Sequence, residues 1–215
     1  MTLYYCYDPY CSWCYGFSTV ISKIFYAYKG KLQFEVLSGG MIPRESSVPI
    51  AKIAGFMKDT IPQIDSLTGA QFGEDFMWHI NNPEESDWVM HSDKASIAMA
   101  IFREYYPDLQ VPFAATLQKA LYRDGRDLTD NEAYRHLLEV YDIPADEFYA
   151  KMAASEYKEK ANYDVALVKQ LQVTGFPQVL LQTEDLKFYL LSRGYVDFET
   201  LQARMERVIT PQPKS

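Results

Sequence analysis

Cys11-Ser12-Trp13-Cys14 holds two thiols two residues apart. At the start of a helix, that spacing lets the two sulfurs close a small disulfide ring, and the helix N-terminus favours a thiolate on the first of them. Thiol–disulfide exchange is the chemistry such a pair supports: one sulfur attacks, and the other releases what the first has captured. The chain has three cysteines, Cys6, Cys11 and Cys14, all near the N-terminus. A disulfide framework would spread an even number along the sequence. Their C-x4-C-x2-C spacing is that of one iron–sulfur class, but such a cluster needs a fourth cysteine. A histidine could complete a zinc site, yet His79, His91 and His136 lie in another part of the chain. No metal is expected.

The surrounding elements place the motif. Thr2 to Tyr7 is rich in aromatics and is ended by Asp8-Pro9, which makes it a strand. From Tyr15 to Tyr28 apolar residues recur at helical spacing (Phe17, Val20, Ile21, Ile24, Phe25, Tyr28), and Lys29-Gly30-Lys31 closes the helix. Leu32 to Leu37 is a second strand, stopped by Ser38-Gly39-Gly40. Two strands joined by a helix are expected to be parallel with a right-handed crossover.

Residues 43–159 read as helical throughout, with helices near 48–59, 68–80, 92–105, 111–123, 129–140 and 144–153. Pro49 and Pro144 suit first turns, Ser92 suits a cap, and Thr129 with Glu132 has the spacing of a capping box. Trp78, Trp88, Met90 and Met99 read as the core of this stretch, or at most as the wall of a groove above Cys11. Beyond it, Asp164 to Gln172 is a helix. Gln178 to Gln182 and Phe188 to Ser192 form a hairpin turning at Glu184-Asp185, and Phe198 to Val208 is a last helix. The α/β elements thus occupy 1–42 and 160–210, an inserted helical subdomain 43–159, and a frayed, proline-rich tail 211–215.

At 215 residues, 48% hydrophobic and 23% charged, the chain is expected to be globular rather than disordered. Its net charge of −8 argues against nucleic acid or an anionic membrane as partner. No apolar run approaches the roughly 20 residues of a membrane span. With Met1 as the native start, no signal-like segment precedes the first strand, which makes the cytoplasm the expected location. In a reducing compartment a close cysteine pair is more often catalytic or metal-binding than structural.

The order β-α-β, helical insertion, α-β-β-α, with C-x-x-C directly after the first strand, resembles the DsbA-type branch of the thioredoxin superfamily. Asp8-Pro9-Tyr10-Cys11-Ser12-Trp13-Cys14-Tyr15-Gly16-Phe17 and Leu37-Ser38-Gly39-Gly40 resemble, more narrowly, its cytosolic group of predicted protein-disulfide isomerases. FrnE-like proteins and the kappa-class glutathione transferases and chromene-carboxylate isomerases are related. The resemblance spans the whole chain in architecture and is sharp at 8–17 and 174–178. It implies an α/β, thioredoxin-like fold: a mixed sheet flanked by helices, with a large all-helical insertion.

Carried over to this sequence, the resemblance implies that Cys11 is the exposed nucleophile and Cys14 the resolving thiol. It makes Pro177 a cis-proline, with Phe176 facing Cys11 and pairing its backbone with an extended substrate. Ser12 and Trp13 would tune the potential and shape the contact surface. No histidine lies between the cysteines, which removes one device for stabilising the thiolate. Plainer roles stand beside these. Pro177 could be an ordinary trans-proline opening a strand, and Cys6 is a small buried hydrophobe before it is a redox group. Asp8 is a local cap or, near the thiols, a proton relay. Glu35 is a candidate for the buried acid behind the site, and the three histidines read as surface or satisfied residues.

The expected activity is that of a thiol–disulfide oxidoreductase or isomerase acting on protein or small thiol and disulfide substrates. It needs no bound cofactor, and glutathione enters only as a co-substrate. Two other functions suit the same fold: a DsbA-like adaptor that binds clients without redox use, and a glutathione-dependent transferase or isomerase. Both thiols are retained, which an adaptor does not need. Kappa-type enzymes commonly carry serine at the nucleophile position. Oligomeric state leaves no sign in the sequence.

Overall fold

Alternation along the first strand sorts its side chains onto two faces. In the computed structural model, which describes residues 1–184 and 186–210, β1 (Thr2–Tyr7) buries Leu3, Tyr5 and Tyr7 on one face and Cys6 on the other. The helix α1 (Ser12–Tyr28) covers the first face with Phe17, Val20, Ile21, Ile24 and Phe25, spaced to share one helical stripe. Gly30, at φ +83°, turns the chain after it into β2 (Gln33–Ser38). β2 runs parallel to β1, from Thr2 opposite Gln33 to Tyr7 opposite Ser38.

The insertion begins with a departure from helix. Val48–Pro49 is a short strand, β3, and Ile50–Lys52 a single tight helical turn. The helices α2 (Ala54–Thr68) and α3 (Glu74–Asn81) follow, then a second short strand, β4 (Val89–Met90), which pairs antiparallel with β3. The helix expected at 48–59 is therefore displaced to 54–68, and Pro49 lies in a ribbon rather than a first turn. The helix expected at 68–80 begins at Glu74, because Gly69 at φ +70° ends α2. Trp78 is exposed rather than core: α3 buries Phe76 and Ile80, one turn apart, which turns Trp78 outward.

Next come α4 (Asp93–Tyr105), α5 (Gln110–Tyr122), α6 (Glu132–Val140) and α7 (Ala145–Ala153). Ser92 precedes α4 without capping it by its side chain. The Thr129–Glu132 capping box does not form, since α6 starts after Asn131 and the Thr129 N–H and hydroxyl both donate to Asp127 Oδ1 at 2.8 Å. Pro144 stands just ahead of α7.

α8 (Ser155–Gln170) starts nine residues before the helix expected at 164–172 and lies across the second sheet face over Cys6, Leu37 and Leu180. The chain closes with β5 (Gln178–Gln182), β6 (Phe188–Arg193) and α9 (Phe198–Ile209). β5 is antiparallel to both β1 and β6, so the mixed sheet has the order β2-β1-β5-β6. The tail expected at 211–215, and Asp185 in the β5–β6 turn, lie outside the described residues.

One continuous core joins sheet and insertion, from Leu3 and Val36 through Phe102 and Phe113 to Tyr134 and Phe148. A polar brace fastens them as well. The Arg103 guanidinium on α4 donates to both Asp164 oxygens on α8 (2.8 and 3.2 Å), to Val36 O on β2 (2.8 Å) and to Gln110 on α5 (3.1 Å). The buried Asp164 carboxylate thus meets the Arg103 guanidinium through both of its oxygens. No helix among the described residues is long and apolar enough to cross a membrane.

Candidate active site

The dithiol loop leaves the C-terminal end of β1 and is the N-terminus of α1. Cys11 is the N-cap residue, with extended backbone, and its Sγ accepts the Cys14 N–H at 3.2 Å. An N-cap acceptor satisfies one of the helix's orphan donors, and here that acceptor is sulfur. No acidic residue occupies the first turn of α1. A thiolate on Cys11 would therefore sit at the positive end of the helix dipole without a competing carboxylate in that turn.

All three cysteines are unbonded thiols. Cys14 is wholly buried, and Cys11 is 7% exposed. Cys11 is thus the outer of the pair but not an exposed residue as expected: it joins the main core beside Tyr10 and Tyr122. Burial, then contact with the Cys11 sulfur, pushes the Cys14 thiol well above the ordinary thiol range. Ser12 faces inward and is buried, so Trp13, half-buried against the core, is the residue between the cysteines that reaches the surface.

Across the sheet, Gln178 pairs with Cys6, which sets Pro177 at the level of Tyr7, where β1 gives way to the dithiol loop. The Phe176–Pro177 peptide is cis. Pro177 is buried and its carbonyl accepts the Gly194 N–H at 2.7 Å. Phe176 is half-buried, and among the described residues its N–H and C=O have no hydrogen-bond partner. Register therefore brings both expected parts of the site, 11–14 and 176–177, to the same end of the sheet.

Asp8 does more than cap locally. Its wholly buried carboxylate accepts from Tyr10 N–H (2.9 Å) and Ser92 Oγ–H (2.9 Å) through Oδ1, and from Met41 N–H (2.7 Å) through Oδ2. Its carbonyl accepts from Cys11 N–H (3.1 Å) and Gln118 Nε2 (3.3 Å). Burial outweighs these donors and raises the carboxyl to about 6. Ser92, read as a cap, uses its hydroxyl instead to join Asp8 and the Ile42 N–H. Gln118, Ser92 and Met41 had no local signal, because each reaches the loop from a distant part of the chain.

The remaining candidates lie elsewhere. Cys6 sits on the opposite sheet face among Leu37, Val168 and Leu180, where burial pushes its thiol up to about 12. Glu35 alternates with Val36, out of phase with the dithiol face, and accepts from Gln110 at 3.2 Å. His79 stacks on Trp88 at 3.9 Å and bonds Ser86. No cluster able to hold a metal occurs among the described residues.

A family model for the DSBA-like thioredoxin domain matches residues 2–206. The chain belongs to that family. This DSBA-like chain shares its fold with the "putative protein disulfide isomerase" of Nitrosomonas europaea at TM-score 0.83 and 22% identity, over 99% of this chain and 98% of that one. The cytosolic disulfide reductase DsbM of Pseudomonas aeruginosa superposes at TM-score 0.74 and 23% identity, over 97% and 98%. A structure of the same reductase with GSH gives TM-score 0.70 at 24% identity, over 97% and 99%. No curated protein sequence matches the chain significantly.

Proposed function

We propose that this chain is a thiol–disulfide oxidoreductase in which Cys11 attacks and Cys14 resolves. The observation that carries this is the Cys14 N–H donating to Cys11 Sγ at the start of α1, with Cys14 buried directly behind. The Cys11 thiolate attacks one sulfur of a substrate disulfide, forming a mixed disulfide and expelling the other sulfur as a thiolate that takes up a proton. Cys14 then loses its proton as it attacks Cys11 Sγ. The Cys11–Cys14 disulfide forms, the substrate leaves as its second thiol, and two electrons have passed to it. Burial raises the Cys14 thiol, so it enters this step protonated and gives up its proton as it attacks.

The N–H and C=O of Phe176, without a hydrogen-bond partner among the described residues, suit an extended substrate chain lying beside Cys11, with Trp13 as a neighbouring contact surface. We take the reducing direction, in the cytoplasm, with two glutathione molecules restoring the dithiol and leaving as one glutathione disulfide. The similarity to the Pseudomonas aeruginosa cytosolic reductase, known also with GSH, supports this choice.

Cys14→Ala tests the mechanism. Incubated with a disulfide-bonded protein substrate, it is expected to accumulate mixed disulfides through Cys11 that dithiothreitol releases, whereas the parent chain accumulates none. A Cys14→Ala chain that forms no adduct would refute the assignment. Equilibration of the parent dithiol with glutathione checks direction: a midpoint below the glutathione poise marks a reductase, and one near −120 mV an oxidant.

A further inference from the structure

Gly39 follows β2, and its N–H donates to Tyr7 O at 2.7 Å. A Cβ built on it would lie 2.0 Å from Phe176 Cζ and 2.5 and 2.6 Å from the two Cε atoms. The tip of the Phe176 ring therefore rests directly on the Gly39 backbone, and no side chain of any size fits between them. Gly39 has no positive φ, so its backbone conformation is open to any residue. What requires glycine here is space for the ring. The neighbouring Gly40 differs: its φ of +61° needs glycine for the turn itself.

Two ties meet on this short segment. At one end Gly39 seats the Phe176 ring. At the other, Met41 N–H holds the Asp8 carboxylate, which also accepts the Tyr10 N–H, while the Asp8 carbonyl accepts the Cys11 N–H. Residues 39–41 thus connect the turn before Pro177 to the loop bearing Cys11. A phenylalanine has two side-chain torsions, so a ring held at its tip, with Pro177 O held by Gly194, leaves the Phe176 backbone little freedom.

We propose that Gly39 is a specificity-determining residue. By seating the Phe176 ring it sets the Phe176 N–H and C=O where an extended peptide can lie across Cys11, so reaction with peptide disulfides depends on the seat more than reaction with small disulfides. This rests on the dithiol mechanism above, and it adds a discrimination between substrates that the dithiol does not itself provide. A peptide must match both Cys11 and the Phe176 backbone. A small disulfide needs only the sulfur.

The test compares kcat/KM for an extended peptide carrying a mixed disulfide with 2-mercaptoethanol against kcat/KM for bis(2-hydroxyethyl) disulfide. In Gly39→Ala the peptide-to-small ratio is expected to fall about tenfold, chiefly through KM. Adding Phe176→Val, whose shorter side chain can rest on the new methyl as the ring rests on Gly39, is expected to recover part of the ratio by restoring a seated contact. If Gly39→Ala does not fold, Phe176→Ala carries the same comparison with the seat empty. An unchanged ratio in whichever variant folds overturns the proposal, including the case where both substrates slow equally. If the parent chain reduces neither substrate, the dithiol mechanism fails instead. Peptide affinity for a Cys11→Ala/Cys14→Ala chain then reads the seat alone: Gly39→Ala on that background is expected to weaken binding about tenfold, and unchanged affinity overturns the proposal.

Discussion

Cys11→Ser is expected to reduce disulfide turnover to below about 1% of the parent chain without destabilising the fold. Serine cannot form the mixed disulfide, and its hydroxyl does not ionise near neutral pH, so neither half of the exchange survives. The structural half of the expectation comes from the cap. Cys11 Sγ accepts the Cys14 N–H at 3.2 Å as N-cap of α1, and serine is a better N-cap acceptor than sulfur. The variant should therefore match the parent in urea unfolding or exceed it by up to about 1 kcal/mol. Turnover and unfolding measured on one preparation separate the two. Retained turnover would remove Cys11 from the mechanism, and a loss of about 2 kcal/mol would remove the cap.

The central motif was legible because its constraints are local. Alternation in Thr2–Tyr7, the Asp8-Pro9 break and the apolar stripe of α1 each act within a few residues, and the structure places β1 and α1 where they indicate. Local signals mislead where a distant partner decides. Val48–Pro49 would open a helix on propensity, but Val89–Met90 captures it as a strand. The pattern names a helix only over the C-terminal part of α8, because its first turns are polar, and at Asp164 it gives no sign of burial, since hydrophobic periodicity cannot count a buried carboxylate. That position is legible only with Arg103 in view. Likewise Ser92 has the sequence context of a cap, but its hydroxyl donates to Asp8, far away in the chain. Gly39 read as a strand stop, because nothing near it in the chain announces the Phe176 ring.

Asp8→Asn is expected to gain about 3 kcal/mol of stability relative to the parent chain between pH 4 and pH 7. The parent carboxyl is wholly buried, and burial raises it from 3.8 to about 6 in spite of its three hydrogen bonds. Between pH 3.8 and about 6 the folded chain holds a proton that the unfolded chain has released. Stability therefore falls as pH rises through that window, by about 3 kcal/mol at ~1.36 kcal/mol per pH unit, and stays lowered above it. Asparagine does not titrate. Its amide faces either the Met41 N–H or the Tyr10 N–H and Ser92 hydroxyl, which adds a penalty of about 1 to 3 kcal/mol that is the same at every pH. The pH dependence of the difference thus isolates the Asp8 charge from the rest of the chain. Urea unfolding of both proteins at pH 4, 5, 6 and 7 measures it, and a difference that is flat or runs the other way would show a carboxyl of ordinary strength. A buried charge kept at this cost, tied to the Tyr10–Cys11 loop on one side and to Met41 and Ser92 on the other, holds that loop against the insertion at neutral pH.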